Sequence, residues 1–481
     1  MKKAIYKGFY GACAAVLLLA AGACNSSENY GQEGTADYSG TAVKSFSLKE
    51  NDQVLNNIDS VFFSIDLVNG MIFNADSLPV GTDISALAVT MQTDACTECK
   101  FHMTSVHGTD TVVDYLTSPD EKLNFEKPVS LYIKSYNGSY ERTYSLKVNV
   151  HTQFADSLQW SDAALPPMPV STASEMRTVK FHDTAYTLAA TSAGYELYRS
   201  TDVFNGRWEK VAANLPADLN VSTLTASHDG DTLYILDGSG NLLSSTDGVD
   251  FAPVAGIGGW ENITAAYPPG VLGLKRNADG SYVHVAYPAA AERAASADFP
   301  VSGFSQSVLS STEWAVKPQV LVAGGRAASG ALTGSTWAYD GSRWAKVGAG
   351  LPAAEGYAVC RYTIAHTDTL SWVTTMKPAL VAVGGRNGAD VSGKVYVSRD
   401  MGMTWGLGDV PVQLPKDFPA LSGADLLVFE YEAGARPKAI RPITEWDVPC
   451  LFLFGGRDKD SRLQFFYRVG AINALRFKPL Q

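Results

Sequence analysis

Apolar and polar residues alternate in short runs along the first third of the chain. The clearest runs lie at 46–48, 61–65, 84–89, 129–133 and 144–150. Alternation with a period of two is typical of half-buried β-strands, and turn-forming residues separate the runs. With no helical stretch between them, these strands predict a β-sandwich domain over residues 41–152.

A longer pattern recurs in the second part of the chain. Each copy has an apolar run, a Gly-Gly-Arg sequence, a glycine-bearing loop, a short alternating run and an aromatic residue. The three doublets are Gly324-Gly325, Gly384-Gly385 and Gly455-Gly456. A repeat of about 40–65 residues has the length of a four-stranded propeller blade with loop insertions. We therefore predict an all-β chain whose residues 154–481 form a β-propeller of about six blades, with seven still open.

The blades also carry aromatic residues near their ends. Trp208, Trp344 and Trp405 are expected to pack against a neighbouring blade. The segment 158–160 resembles the blade-closing sequences at Trp208 and Trp344. We therefore predict that this first strand after the linker completes the last blade and closes the ring.

The N-terminus has the features of an export signal. In residues 1–23, Lys2, Lys3 and Lys7 precede an apolar stretch that is too short to cross a bilayer. Three small residues before Cys24 resemble a bacterial lipobox, which implies that Cys24 carries lipid. Residues 24–40 are polar and are expected to form a flexible tether. This arrangement predicts an outer-membrane lipoprotein, periplasmic or surface-exposed, that contacts the membrane only through its N-terminal lipid.

Composition and charge narrow the possible partners. The chain is 46% hydrophobic and 18% charged, which is typical of a folded protein. Its net charge of −11 argues against nucleic acid as the partner. Cys96 and Cys99 have the spacing of a redox motif or half a zinc site, but no second pair completes a metal site. A local disulfide between them is the simplest interpretation, and the sequence predicts no metal and no cofactor.

Motifs in the second part of the chain resemble those of two known families. The Gly-Gly doublets followed by tyrosine and tryptophan resemble kelch repeats, and residues 398–405 (SRDMGMTW) resemble the Asp box of sialidase-type propellers. Over residues 41–481 the chain resembles uncharacterised exported lipoproteins of Bacteroidetes that join an Ig-like domain to a kelch-like propeller. The resemblance implies a fold and a compartment but no activity.

Two rows of repeated residues are the candidate ligand-binding groups. Arg326, Arg386 and Arg457 follow the doublets, so blades in register would place them on one rim, where guanidinium groups could bind a carboxylate or sulfate. The other interpretation is that each pairs with an acid or a carbonyl of its own or the next blade. The second row consists of the tryptophans Trp314, Trp372 and Trp446. These side chains are expected near the opposite rim, where they would either stack on sugars or pack between blades.

The sequence favours a binding or scaffold protein over an enzyme. It contains no Arg-Ile-Pro motif of sialidases, no nucleophile elbow, no phosphate loop and no HExxH. We therefore assign no catalytic residue and expect the propeller rim to bind a glycan or an envelope protein. The alternative is a glycan-active hydrolase or lyase with acidic residues at the propeller mouth. A central pocket with two carboxylates of perturbed pKa would favour that enzyme.

Overall fold

The structure is a computed structural model. It describes residues 38–472 apart from 105–109, 153, 155–156, 161–166, 290–291, 311–316, 368–373, 410–411, 415, 417 and 431–448. The predicted leader and most of the predicted tether, including Cys24, lie outside the described residues.

The N-terminal part is built from β-strands and one short 3-10 helix, Ile58–Ser60. Its strands are β1 (Val43–Leu48), β2 (Phe63–Asp66), β3 (Met71–Asn74), β4 (Val89–Thr93), β5 (Cys96–Thr104), β6 (Asp110–Asp114), β7 (Val129–Ser135) and β8 (Glu141–Lys147). Six of them form one sheet in the order β2-β3-β8-β7-β5-β6, and β1 pairs with β4. Every ladder is antiparallel except β3 with β8.

The two sheets of this part share one core. Along β7, Val129, Leu131 and Ile133 are buried while the residues between them are not, as the alternating pattern predicts. Phe46 and Leu48 on β1 belong to the same buried cluster. The run at 84–89 was assigned to a strand wrongly, because the strand is β4 at Val89–Thr93.

In the part of the chain that the structure describes, residues 158–472 form a ring of six antiparallel sheets with four strands along each, one of which carries an additional short strand. This arrangement confirms the predicted propeller and contains six blades. Blades 1 to 3 are β10 (Glu175–Phe181), β11 (Thr184–Thr191), β12 (Gly194–Asp202) and β13 (Arg207–Val211); β14 (Leu219–Ala226), β15 (Leu233–Asp237), β16 (Leu242–Ser245) and β17 (Ala252–Pro253); and β18 (Trp260–Tyr267), β19 (Gly270–Arg276), β20 (Tyr282–Tyr287) and β21 (Arg293–Ala294). A 3-10 helix, Val203–Asn205, lies between β12 and β13.

Blades 4 to 6 are longer in sequence because they carry insertions. Two short strands, β22 (Pro300–Ser302) and β25 (Arg326–Ala327), pair beside blade 4, and β30 (Asp390–Val391) pairs with β29 in blade 5. The blades are β23 (Val308–Ser310), β24 (Gln319–Ala323), β26 (Thr336–Tyr339) and β27 (Trp344–Gly348); β28 (Glu355–Thr367), β29 (Thr374–Asn387), β31 (Val395–Ser398) and β32 (Gly406–Leu407); and β33 (Asp425–Phe429), β34 (Cys450–Phe454), β35 (Tyr467–Ile472) and β9 (Leu158–Trp160).

The ring is closed by β9, as the sequence predicts. This strand precedes blade 1 in the chain but pairs with β35 of blade 6, where Trp160 lies opposite Gly470 and Leu158 lies opposite Ile472. The innermost strands β10 and β33 are also in contact, so the first and last blades are neighbours.

Packing between blades accounts for the apolar middle strands. On β29, Leu380, Val381, Ala382 and Val383 are all buried, because a sheet packed on both faces has no solvent side. The glycines that follow have positive φ, and a Cβ at Gly384 would lie 2.2 Å from the Leu421 carbonyl oxygen. Only glycine fits this close approach to blade 6.

The closing tryptophans pack against the preceding blade. The Trp405 indole N–H donates to Thr336 Oγ1 of blade 4 at 2.8 Å. Trp208 of blade 1 meets Phe454 and Tyr467 of blade 6 edge to face. In the turn before Trp405, Asp400 Oδ1 accepts a hydrogen bond from the Thr404 N–H at 2.9 Å, so this carboxylate fixes the turn.

Candidate functional site

The propeller encloses a cavity of about 720 Å³ along its axis. The wall takes residues from all six blades, most of them from the innermost strands and the segments that lead into and out of them. The cavity extends from the start of β10, at Glu175, to the turn after it, at Asp183. This volume lies in the range of small-molecule binding sites, so the cavity is the candidate site.

Glycine backbones approach one another at one end of the cavity. The Gly356 N–H donates to the Gly303 carbonyl oxygen at 2.7 Å, and the Gly423 N–H donates to the Gly356 carbonyl oxygen at 2.8 Å. All three glycines have positive φ. A Cβ at Gly356 would lie 2.8 Å from the Gly423 nitrogen. Blades 4, 5 and 6 therefore meet backbone to backbone on their side of the axis.

Blade 1 presents charged side chains at the same end. Glu175 is half-buried in the cavity wall, and burial raises the pKa of its carboxyl, although Arg457 and Arg177 act in the opposite direction. Two residues along β10, Arg177 lines the same wall. Both side chains project from alternate positions of one strand, so they lie on the same face.

Arg177 is paired with a buried acid of blade 6. Its Nη1 lies 2.8 Å from Asp425 Oδ1, and the Asp425 side chain is 4% exposed. This ion pair lacks the alignment of a hydrogen bond, since Asp425 Oδ1 and Arg177 Nε have no hydrogen-bond partner among the described residues. Asp425 Oδ2 accepts from the Thr178 N–H at 2.6 Å. Burial raises the pKa of Asp425, and the Arg177 charge opposes this effect.

Other polar side chains satisfy the unpaired backbone of the inner strands. An innermost strand is a sheet edge, so its axis-facing N–H and C=O groups lack ladder partners. The Gln306 amide of blade 4 donates to the Leu426 carbonyl of blade 6 at 2.7 Å. The Ala266 N–H of blade 3 donates to Ser307 Oγ at 3.3 Å. These contacts hold blades together and need no ligand to explain them.

The Thr264 hydroxyl has no such explanation. Thr264 lies on β18, lines the cavity and is 2% exposed. Its Oγ1 has no hydrogen-bond partner among the described residues. Because buried hydroxyls in proteins are nearly always hydrogen-bonded, this group calls for a partner that the described residues do not supply, such as a buried water molecule.

The opposite end of the cavity is lined by the turns after β10 and β14. Lys180 Nζ lies 2.9 Å from Asp183 Oδ1, and this hydrogen bond lowers the pKa of Asp183. His182 Nδ1 lies 3.8 Å from Asp231 Oδ1, which brings the two turns together. Burial lowers the pKa of His228. This end therefore contains ionised acids that have partners.

The arginine row connects neighbouring blades. Arg326 donates through Nε and Nη2 to the Glu355 carboxylate of blade 5, at 3.1 and 2.7 Å. Arg386 donates through Nε to Ser422 Oγ of blade 6 at 3.3 Å and also to the Asp458 carbonyl. These contacts are of the kind that the second interpretation of the row describes, in which the arginines connect the blades.

Arg457, the third member, reaches blade 1. It donates to the Ser174 carbonyl and, at 3.1 Å, to the Ser461 carbonyl. Arg457 is the one member of the row that lines the cavity. Its hydrogen-bond partners are carbonyl groups and not carboxylates, and its charge acts to lower the pKa of Glu175.

The tryptophan row lies outside the described residues. Trp314, Trp372 and Trp446 fall between the first and second strands of blades 4, 5 and 6. Their roles as sugar-stacking or packing residues stay predictions.

Cys96 and Cys99 lie on β5 and are free thiols in this structure. Burial raises the pKa of Cys99 to about 12. The disulfide between them stays a prediction, as does lipidation of Cys24.

The sequence did not single out Glu175, Arg177, Thr264 or Asp425. A usable signal existed for Glu175. In blades 5 and 6 the residue that accepts the arginine of the previous blade is followed by glycine, in the pairs Glu355-Gly356 and Ser422-Gly423. In blade 1 the corresponding pair is Ser174-Glu175.

Two kinds of feature are absent from the part of the chain that the structure describes. Among the described residues, no three His, Cys, Asp or Glu side chains are placed so that they could hold a metal ion. Within the same residues, no helix has the length and apolar character needed to cross a membrane.

Two family models together match nearly the whole described chain. The DUF6242 beta propeller domain matches residues 154–480, and the DUF6242 N-terminal domain, a domain of unknown function, matches residues 39–148. The chain belongs to the DUF6242 family. This family is uncharacterised, so membership gives a propeller and a β-rich N-terminal domain but no activity.

Solved structures that are similar to this DUF6242 protein say little about its function. A DUF4623 family protein from Bacteroides eggerthii is 12% identical over 71% of this chain and 96% of its own, with a TM-score of 0.23. An oligogalacturonate lyase in complex with manganese is 11% identical over 65% of this chain and 86% of its own, with a TM-score of 0.29. Such low values carry no argument about function. No curated protein matches the chain.

Proposed function

We propose that this protein is a non-enzymatic binding module of the cell envelope, and that the axial cavity of its propeller binds part of a glycan. The observation that carries this proposal is a cavity of about 720 Å³ whose wall combines polar and apolar groups. Carboxylate, guanidinium, amide and hydroxyl groups are the side chains that hydrogen-bond sugar hydroxyls. Glu175, Arg457, Gln306 and Ser222 supply one of each at the wall.

Because neighbouring blades hold two of the three arginines, we propose the cavity and not the rim as the binding site. Arg326 is held by the Glu355 carboxylate and Arg386 by groups of blade 6, so neither guanidinium offers a free pair of donors to an anion. Arg457 faces the cavity as well as blade 1. We therefore place the arginine contribution to binding at Arg457 alone.

A glycan-active hydrolase or lyase is the second candidate function. Its support is Glu175, a cavity-lining carboxyl whose pKa is raised by burial. Glycoside hydrolysis commonly needs a second carboxyl across the scissile bond. The other described acid with a raised pKa, Asp425, is buried against Arg177 and does not line the cavity. The arrangement of carboxyls therefore favours binding.

The remaining parts of the proposal concern the location of the protein. We infer from the leader and Cys24 that the mature chain is lipid-anchored at the outer membrane. The N-terminal β-domain then acts as a spacer between the lipid and the propeller. An envelope protein is the alternative partner, and the net charge of −11 argues against nucleic acid.

A glycan array probed with the full-length protein tests this function. We expect binding to one class of glycan and at least a tenfold weaker affinity for Arg457→Met, which removes the cavity-lining guanidinium and keeps an unbranched side chain. Thermal melting of the variant checks that it folds. An array without any bound glycan would contradict the proposal. Release of reducing ends or unsaturated sugars from a bound glycan would support the enzyme instead.

A further inference from the structure

One position of the blade repeat distinguishes blade 1 from blades 4–6. In those three blades the residue that opens the inner wall of the cavity is a glycine, at Gly303, Gly356 and Gly423. Within the sheet of its own blade, the residue before each glycine lies opposite the arginine that follows the Gly-Gly doublet. Glu355, for example, lies opposite Arg386 on the neighbouring strand. The repeat therefore places the glycine at a defined point beside the axis.

Blade 1 has Glu175 at that point. The preceding residue, Ser174, accepts the hydrogen bond from Arg457 of blade 6, just as Glu355 accepts from Arg326 of blade 4. Glu175 lies directly before Met176, whose partner on the second strand is Ala189, and Gly356 lies directly before Tyr357, whose partner is Gly384. Ala189 and Gly384 each lie four residues after the strand residue that faces Ser200 or Ser398, so the two positions correspond. Blade 1 thus carries a carboxyl at the repeat position where blades 4–6 bring glycine backbones together.

The surroundings of this carboxyl are balanced in charge. Glu175 lies near Arg177 and Arg457, and Arg177 is paired with Asp425. The group contains two acids and two bases, so its formal charge is zero when all four are ionised. An ion placed against this half-buried group would add a charge that nothing compensates, which disfavours charged ligands.

We propose that Glu175 anchors the ligand of the axial cavity, and that this ligand is a neutral sugar that donates two adjacent hydroxyl groups to the carboxylate. This inference rests on the proposed function. The two oxygens of a carboxylate can each accept a hydrogen bond, and two adjacent sugar hydroxyls can supply both donors. Arg177 and Arg457 line the same cavity and can donate to the sugar oxygens.

The test measures binding of free sugars to the full-length protein by calorimetry at pH 7. The probes are glucose, galactose, mannose and N-acetylglucosamine, together with the acidic sugars glucuronate and galacturonate. We expect one neutral sugar to bind at least tenfold more tightly than the acidic ones. Glu175→Gly should abolish this binding and keep the fold, because glycine is the residue of the other three blades. Glu175→Gln should weaken it at least tenfold, because one acceptor becomes a donor.

The matched control is Glu355→Gln on the same face of the propeller. Glu355 holds Arg326 but does not line the cavity, so this variant should melt earlier and bind the sugar as the wild type does. A wild-type affinity in both Glu175 variants would overturn the anchor and leave the proposed function standing. Tighter binding of glucuronate or galacturonate would overturn the neutral class. If no sugar binds the wild type and no glycan binds on the array, both proposals are overturned.

Discussion

Blades 4–6 and blades 1–3 have the same four-stranded sheets but join their neighbours by different chemistry. Each of blades 4–6 reaches the next blade through the arginine after its Gly-Gly doublet, at Arg326, Arg386 and Arg457. On the same rim, the contact between blades 1 and 2 is made by neutral groups. The Tyr195 hydroxyl exchanges hydrogen bonds of 3.0 Å with the backbone of Leu219 in blade 2.

Blades 4–6 and blades 1–3 also differ in the residues that they place beside the propeller axis. On the side of blades 4–6, Gly303, Gly356 and Gly423 join their backbones directly and leave no side chain in the way. On the side of blades 1–3, Glu175, Arg177 and Thr264 line the cavity. Residues that repeat from blade to blade therefore serve the ring, whereas the candidate site is built where blade 1 departs from the repeat.

The strongest test of this comparison acts where the two halves meet, at the ion pair between blades 1 and 6. Arg177→Met leaves the Asp425 carboxylate buried without its cation, so we expect the propeller to lose about 3–5 kcal/mol of unfolding free energy. Denaturant unfolding followed by tryptophan fluorescence measures this loss.

The double variant Arg177→Met with Asp425→Leu is the control. It replaces the pair by apolar groups and should recover most of the lost stability, since a buried pair contributes little beyond its apolar replacement. A single variant as stable as the wild type would mean that the junction of blades 1 and 6 does not depend on this pair.

The architecture was predictable because it follows from local patterns. Apolar strands that end in Gly-Gly, and aromatic residues that close each blade, recur at nearly constant spacing, and the strand at 158–160 matched the closing sequences. These features depend on strand periodicity and on close backbone contacts, which a sequence displays directly. The contacts of the arginines, in contrast, were left open between two interpretations.

The cavity could not be predicted in the same way. Whether Thr264 or Arg177 faces the axis depends on how each inner strand is rotated against its neighbours, and no local pattern encodes that rotation. Asp425 becomes the partner of Arg177 only because the ring brings residues 177 and 425 together. The tryptophan row lies outside the described residues, so its part in the site stays a prediction.

A second test acts on the glycine contacts of blades 4–6. Gly356 has a φ of 75°, and an added Cβ would lie 2.8 Å from the Gly423 nitrogen. Gly356→Ala should therefore lower the unfolding free energy by about 3 kcal/mol, from backbone strain together with the clash. Gly423 has a φ of 65° but open space around it, so Gly423→Ala should cost only about 1 kcal/mol. Equal losses in the two variants would show that strain alone matters and that the backbone contact adds nothing.

An effect smaller than that of Gly356→Ala is expected in blade 3. His284 is half-buried against Phe299 and Trp344, its Nδ1 has no hydrogen-bond partner among the described residues, and burial lowers its pKa from 6.5 to about 4. Below pH 6.5 the unfolded chain binds a proton at this residue, while the folded protein does not until the pH approaches 4. Stability is therefore lost as the pH falls through this window.

Between pH 7 and pH 5 this proton uptake should remove about 2 kcal/mol of unfolding free energy. His284→Phe keeps an aromatic ring in the same pocket and cannot be protonated, so the difference between wild type and variant isolates the effect of this histidine from the other titrating groups. Unfolding curves of both proteins at pH 7, 6 and 5 provide the measurement. If the wild type and the variant lose the same stability on acidification, His284 is already hydrogen-bonded or charged in the folded protein, and blade 3 has no acid-sensitive core.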